Sequence, residues 1–479
     1  MLTGQWVPDV SPKRRSSAGL TSLLAATTIL AAGGAIAWRS SGAAAMSHAE
    51  SAATAEAAVH SGHMAMRRDD KTAADAPADS APYVGPLLPE LEVSPNGAVS
   101  SIRDAVRRAA PGAVITVRAG VYREPTIVVD RRVTLVGDSG AVLDGGSGTT
   151  IMAVTADSVT IRGLTFRRVG ASNVDDRAAI KVSGAHGYTI ERNRIDDGFF
   201  GIYLAQVEGC RIADNVLRAS GKTEASSGNG IHLWSSRHIV IERNDVRGYR
   251  DGIYFEFVHD TDVRHNVSES NLRYGLHFMY SDDCVYTENV FRENGSGVAV
   301  MYTKRVTMTG NRFEGNRGAA AYGLLLKEIS DPHLEHNAFV DNTTALVADG
   351  ANRIVARDNQ FIDNGWAIKL DGSTVDGEFV ANDFVGNTFD VATNSRTPAS
   401  TFTGNYWDAY RGYDLDRDGV GDLPHHPVRL FSMIVERHGP ALILLRSAFV
   451  QVLDAAERAL PSLTPETLTD TAPAIRRHR

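Results

Sequence analysis

One residue type recurs along this chain at a spacing too regular for an ordinary globular core. Asparagine stands at Asn193, Asn215, Asn244, Asn266, Asn289, Asn311, Asn337, Asn359, Asn382 and Asn405, in steps of 22, 29, 22, 23, 22, 26, 22, 23 and 23 residues. Each sits in a similar phrase, such as Tyr188-Thr-Ile-Glu-Arg-Asn193-Arg-Ile or Thr401-Phe-Thr-Gly-Asn405-Tyr-Trp. A glycine-initiated phrase follows in most repeats: Gly201-Ile-Tyr-Leu, Gly230-Ile-His-Leu, Gly252-Ile-Tyr-Phe, Gly275-Leu-His-Phe, Gly297-Val-Ala-Val and Gly323-Leu-Leu-Leu. A repeat of this length means stacked units that share one continuous core. Alternating apolar and polar residues mark short strands, and Asn and Gly mark the bends, where they tolerate left-handed backbone. A leucine-rich repeat has a similar period, but its leucine run and helical half are missing. The chain therefore reads as a parallel β-helix of 22–23-residue coils, with asparagines stacked at one corner. The longer steps place loops at residues 219–229 and 315–322. Insertions of this kind emerge on the side of a solenoid and often carry function.

Two columns should face inward. Three residues before the asparagine stand Ile190, Ile212, Ile241, Val263, Tyr286, Met308, Leu334, Phe379 and Phe402. Two residues after it stand Ile195, Leu217, Val246, Phe291, Phe313, Phe339, Phe361, Phe384 and Trp407, with the late aromatics expected to stack. Cys210 and Cys284 fall in one column, three coils apart. That is roughly 14 Å at strand spacing, beyond the ~7 Å limit for a disulfide, so two separate thiols are expected.

The ends differ from the middle. Lys13, Arg14 and Arg15 precede an apolar run over residues 18–37, which fits an export signal or an uncleaved membrane anchor within residues 1–45. Residues 46–85 are Ala-rich and aperiodic, the pattern of a disordered spacer. That spacer carries Met46, His48, His60, His63, Met64 and Met66, which are either scattered composition or soft-metal donors. An amphipathic helix is expected over residues 99–110, stopped by Pro111-Gly112 and capping the solenoid. Strands are expected at residues 114–117, 127–129 and 133–136. Residues 428–460 read as helices broken at Gly439-Pro440, either a C-terminal cap or a docking segment for a membrane partner. A formal charge of −8 carries no nucleic-acid signal.

Three features bear on chemistry. Asp414, Asp416 and Asp418, then Gly419 and Asp422, follow the opening of a calcium-binding loop, although position 12 is His425 rather than glutamate. The alternative is a solvated acidic turn. In the glycine-initiated strands, outward columns run Tyr203, His232, Tyr254, His277, Ala299 and Ala205, Trp234, Glu256, Met279, Met301. Tyr203, His232, Trp234, Tyr254 and Glu256 suit a partner surface. His277, Met279 and Met301 could converge on one soft metal such as copper. His232 is two coils away from His277, about 10 Å, too far to share it. Many β-helices act on polysaccharides, so a carbohydrate-active lyase or epimerase is the rival reading, and a purely structural rod is a third. The outward columns offer Glu256 and Lys327 but no paired carboxylates. Asp331-Pro-His333 resembles an epimerase signature, but Leu334 follows it where that signature has Asp.

The tail carries a more specific resemblance. Gly404-Asn-Tyr-Trp-Asp408, Tyr410-Arg-Gly-Tyr-Asp-Leu-Asp-Arg-Asp-Gly-Val-Gly-Asp-Leu-Pro424, Pro427-Val-Arg-Leu-Phe431 and Val435-Glu-Arg437 resemble the NosD family of nitrous-oxide-reductase maturation proteins. The Gly-Leu-His-Phe-Met-Tyr280 coil agrees, and the likeness spans roughly residues 86–475. It implies an all-β protein, a right-handed parallel β-helix of the pectin-lyase-like kind, with an N-terminal capping helix and C-terminal helices. The organisation is then a β-helix over residues 86–412, an acidic loop over 413–425 and a helical segment over 426–479. It further implies a periplasmic, non-enzymatic factor in copper-centre assembly. Its partners would be an ABC transporter ATPase and permease, a copper-chaperone lipoprotein and nitrous oxide reductase. Copper would be transient cargo and calcium a structural ion. The family supplies no ligand set to transfer, so the copper candidates rest on the residues alone.

Overall fold

Each asparagine period becomes one turn of a parallel β-helix. The computed structural model describes residues 83–172, 175–395, 399–459 and 468–478. The export segment and the His/Met-containing part of the spacer lie outside the described residues. The chain passes through three short strands per coil, and each strand pairs in parallel with its counterpart in the next coil, giving sheets of 14, 13 and 12 strands. The first sheet runs from Leu88–Val93 to Ser400–Thr403, the second from Gly120–Tyr122 to Tyr406–Trp407, the third from Ile127–Val129 to Phe389–Thr393. Fourteen coils at ~4.8 Å each make a rod on the order of 60 Å, longer than the ten-asparagine count suggests, because the first coils lack the asparagine.

Both inward columns are buried as expected. Phe313, Phe339, Phe361, Phe384 and Trp407 form a stack with centroid spacings of 4.6, 4.9, 4.9 and 4.0 Å. Cys210 and Cys284 are buried free thiols, each pushed up to about 12 by burial.

The corner asparagines form a continuous ladder. Asn193 donates from its backbone N–H and its Nδ2 to Asn215 Oδ1 (3.0 and 3.1 Å), and Nδ2 also donates to the Ile161 carbonyl (2.9 Å). The pattern repeats to Asn382, which donates twice to Asn405 Oδ1 at 2.9 Å. The expectation that asparagine itself takes the left-handed turn is corrected. The residue before it does so, from Arg192 (φ 53°) and Asp214 (φ 56°) to Ala381 (φ 56°) and Gly404 (φ 70°). The asparagine's own amides face along the stack instead, which satisfies buried backbone groups at the bend.

The ladder ends on a carboxylate. Asp470, fully buried, comes back from the C-terminal tail into the next rung. Its Oδ2 accepts from Asn405 N (3.0 Å), Asn405 Nδ2 (2.9 Å) and Trp407 Nε1 (3.0 Å), and its Oδ1 from Gly404 N (3.2 Å) and Ala472 N (3.1 Å). A second ladder runs five residues later, through Asn271, Asn294, Asn316, Asn342, Asn364 and Asn387. It begins at the Tyr249 N–H, which donates to Asn271 Oδ1. Beside it, the glycine column leaves room for those amides: a Cβ at Gly275 would lie 2.8 Å from Asn294 Nδ2. The column continues as Ala345 and Ala367 and ends at Asp390, as the flanking register shows. Asp390 is buried, and desolvation pushes its carboxyl up to about 7, with Asp408 adding to the rise and Arg429 and Asn387 opposing it.

Helix α1 (Ile102–Arg108) caps the first coils but is shorter than expected. Pro111-Gly112 does not stop it; residues 109–117 are already a strand paired with Leu88–Val93. Ser101 caps its N-terminus, and Glu124 accepts from Ser101 Oγ (2.7 Å), Ile102 N (2.7 Å) and Arg103 N (3.0 Å). At the other end, helices α2 (Leu430–Arg437) and α3 (Ala448–Ala459) are joined by a 3-10 turn, Gly439–Leu444. They lie on the outer face of the third sheet, where Phe431, Val435 and Val450 pack with Trp366, Phe389 and Ala392. The rod's end is closed by the tail around Asp470. Among the described residues no helix is long and apolar enough to cross a membrane.

Candidate functional site

The third sheet carries the two outward columns in the expected register. Tyr203, His232, Tyr254, His277 and Ala299 are successive partners, and Ala205, Trp234, Glu256, Met279 and Met301 lie two residues further along the same strands. The intervening Leu204, Leu233, Phe255, Phe278 and Val300 belong to the core. The stripe is less exposed than its outward position implies. Tyr203, His232, Tyr254, Glu256, His277 and Met301 are buried, and Trp234 and Met279 are half-buried. Part of the reason is mutual stacking along the ladder. His232 lies flat between Tyr203 (4.6 Å) and Tyr254 (4.8 Å), and Tyr254 meets His277 edge-on (5.2 Å). His232 Nδ1 accepts from Asn229 Nδ2 (3.0 Å), so the 219–229 loop fixes that ring.

His277 sits against an ion pair that sequence reasoning missed. Arg273 donates to both oxygens of Asp251 (2.9 and 2.7 Å) and to His277 Nδ1 (3.3 Å). Burial opposes the Asp251 charge, but Arg273 and then Arg250 outweigh it and hold the carboxyl down at about 2. Burial, with Arg273 and Arg250 adding, drives His277 down to about 3 despite Asp251, so the imidazole is neutral at any physiological pH. With Nδ1 accepting, the proton rests on Nε2, which is buried and has no partner among the described residues. The signal was available: Asp251 stands one residue before Gly252 and Arg273 two residues before Gly275, in successive glycine phrases.

Met279 and Met301 are direct partners on adjacent strands, with His277 two residues away on the same face. One residue beyond, at the bend, Tyr280 stacks between Phe257 and Tyr302 (5.2 Å each), and both tyrosines are exposed. This column was also missed, since a bend interrupts the alternation that identifies faces.

The other candidates lie apart. Asp414, Asp416 and Asp418 bring carboxylate oxygens within 4.8 Å of one another. Asp422 accepts from Leu415 N (2.8 Å) within the same loop. His425 turns inward against Trp407 (4.9 Å). The loop also clasps the tail, with Ile475 N donating to Gly419 O and Gly421 N to Pro473 O. Asp331 is held in a surface ion pair by Arg353 (2.6 and 2.9 Å).

The family model described as "Periplasmic copper-binding protein (NosD)" matches residues 217–412, which include the stripe from His232 to Met301. The probable ABC transporter binding protein NosD of Pseudomonas aeruginosa is 29% identical over 376 residues, covering 73% of this chain and 85% of the relative. Its namesake in Stutzerimonas stutzeri is 26% identical over 379 residues, covering 75% and 86%. Among solved structures, the A-module of the Azotobacter vinelandii mannuronan C-5 epimerase AlgE6 superposes with a TM-score of 0.52 at 18% identity, covering 64% of this chain and 95% of that one. The Streptococcus pneumoniae surface adhesin PfbA gives 0.50 at 12%, covering 69% and 96%. An epimerase and an adhesin sharing the scaffold show the fold alone, since function resides in sites grafted on it. The sequence relatives are the ones that discriminate, and by them the chain is similar to the NosD family.

Proposed function

We propose that this protein is an exported, periplasmic accessory factor that works with an ABC transporter in assembling the copper centres of nitrous oxide reductase. The relatives are named as transporter-binding proteins and the family is described as copper-binding. The observation that carries the reading is the Met279–Met301 rung, inside the family-matched coils and beside a neutral histidine. Thioethers are soft donors suited to Cu(I). Two on adjacent coils stand ~5 Å apart along the stack, close enough for both sulfurs to reach one ion. His277 becomes the third donor when Arg273 releases Nδ1 or the ring proton moves, so the methionines bind first.

The stripe of Tyr203, His232, Trp234, Tyr254 and Glu256, edged by exposed Tyr280 and Tyr302, is the surface for a copper-chaperone lipoprotein or the reductase. Helices α2 and α3 seat the protein on the permease. Ile443 (89% exposed), Val452 (67%) and Phe449 (52%) support this, because they leave an apolar face uncovered beyond the Phe431–Trp366 packing. ATP hydrolysis belongs to the partner ATPase. Calcium at Asp414, Asp416 and Asp418 would lock the clasp over the tail.

The test is a Cu(I) titration of the full chain under reducing conditions. The double substitution Met279→Leu/Met301→Leu should lose one equivalent of copper relative to the parent. Unchanged stoichiometry and affinity would rule those sulfurs out. Independently, the transporter should co-purify with the parent from membranes and not with Ile443→Ser/Val452→Ser.

A further inference from the structure

A cavity of about 280 Å³ opens on the side of the rod, between the 219–229 loop and the coils bearing Val169 and Phe199. We infer that it is a binding site for a small hydroxylated carboxylate, a ligand distinct from the copper cargo and a reading that does not depend on it.

The cavity lies where the second asparagine ladder is broken. Five residues after Asn193 and Asn215 the chain has Gly198 and Ser220 instead of asparagine, and the ladder starts only at the Tyr249 N–H. The same turn holds the 29-residue step. The extra residues, including the 3-10 turn Glu224–Ser226, arch outward and roof the gap. A missing rung and an insertion thus coincide in one coil.

The lining is chemically unfinished. Tyr249 is fully buried and reaches towards Gly198, where a Cβ would lie 3.4 Å from its hydroxyl, yet that hydroxyl has no hydrogen-bond partner among the described residues. Ser227, 7% exposed, likewise has a buried hydroxyl without a partner among the described residues. Buried polar atoms are almost always satisfied, and two stranded hydroxyls on one cavity point to a ligand that satisfies them. Lys222 also lines the cavity and is exposed. Asp197 accepts from Ser220 Oγ (2.8 Å), which leaves its second oxygen open.

These groups define complementary chemistry. Two hydroxyl donors and the Lys222 ammonium suit a carboxylate, the second Asp197 oxygen suits a ligand hydroxyl, and Phe199 and Val169 give an apolar wall. The volume, at the lower edge of ordinary ligand pockets, admits one small molecule or one terminal unit of a longer one. The site also touches the stripe. Phe199 packs on Phe200 (5.1 Å), Phe200 on His232 (5.3 Å), and the roof loop ends at Asn229, which holds His232 Nδ1.

The experiment is isothermal titration and thermal melting of the full chain with L-lactate, D-gluconate and D-galacturonate, beside the neutral analogues D-glucitol and D-galactose. At least one carboxylate should bind saturably, raise the melting temperature with concentration, and bind at least tenfold tighter than its neutral analogue. Tyr249→Phe, Ser227→Ala and Lys222→Met should each weaken it at least tenfold. Without ligand, Tyr249→Phe should melt no lower than the parent, because it removes a hydroxyl that bonds nothing. No binding at millimolar concentration, equal binding of the neutral analogue, or parental affinity in both Ser227→Ala and Lys222→Met would overturn the assignment.

Discussion

Substituting Asp470 tests whether a single carboxylate closes the asparagine ladder. Five donors converge on it: Asn405 N, Asn405 Nδ2 and Trp407 Nε1 on one oxygen, Gly404 N and Ala472 N on the other. A net hydrogen bond contributes ~1 kcal/mol, more to a charged acceptor, and a buried donor left alone costs ~1–3 kcal/mol. Asp470→Ala strands all five, so opening of the last coil should become easier by roughly 5 kcal/mol. Asp470→Asn keeps an oxygen for the three donors on Oδ2, one more than an internal rung's Oδ1 accepts, and loses the two on Oδ1, a cost of roughly 2 kcal/mol. Long repeat proteins do not unfold in one step, so the assay must be local. Native-state hydrogen exchange at the amides of Asn405 and Tyr406 reads the opening directly. At ~1.4 kcal/mol per decade, exchange should accelerate several-thousand-fold in the alanine variant and about 30-fold in the asparagine variant. Equal protection in all three proteins, or an asparagine variant as damaged as the alanine, would refute the capping role.

Two further outcomes follow from the same packing. Asp390 binds a proton in the folded state between its unfolded value near 4 and its folded value of about 7, so its contribution makes stability fall as pH rises through that window. The difference is at most ~4 kcal/mol, and Asp390→Asn should flatten the pH 5 to 7.5 dependence of the melting temperature; an unchanged slope contradicts the assignment. Phe339 is stacked between Phe313 (4.6 Å) and Phe361 (4.9 Å), so Phe339→Ala should ease opening of its coil by ~3–5 kcal/mol, read by native-state hydrogen exchange at neighbouring amides, and Phe339→Leu clearly less; unchanged protection in the alanine variant contradicts it.

The period and both inward columns were legible because a solenoid core repeats in one dimension, and each coil states its pattern again. The second ladder was less legible because Asn271, Asn294 and Asn316 stand among loop residues with no constant phrase around them. Asp470 could not be placed, since two helices and 65 residues separate it from the rung it completes. The stripe's register followed from strand alternation, but its burial did not, because stacking of Tyr203, His232 and Tyr254 is a property of neighbouring coils together. The Arg273–Asp251 pair was hidden for a similar reason: its members lie in successive coils, 22 residues apart. The cavity arises from a missing rung, and an absent residue leaves little trace in a pattern.

The asparagine ladder also gives the rod a direction. The amide-to-amide bonds all run one way, each rung donating to the next Oδ1 on the C-terminal side and accepting from the N-terminal side, while Nδ2 also donates back to a carbonyl of the preceding coil. At the start, Leu164 N supplies the first donor to Asn193 Oδ1 (3.1 Å); at the finish, Asp470 receives the last donors with a full negative charge. Neither pole is left open for another copy. Filament growth through this corner would require displacing a buried carboxylate, so association is diverted from the ends to the flanks, where the stripe, the roofed cavity and the C-terminal helices are found.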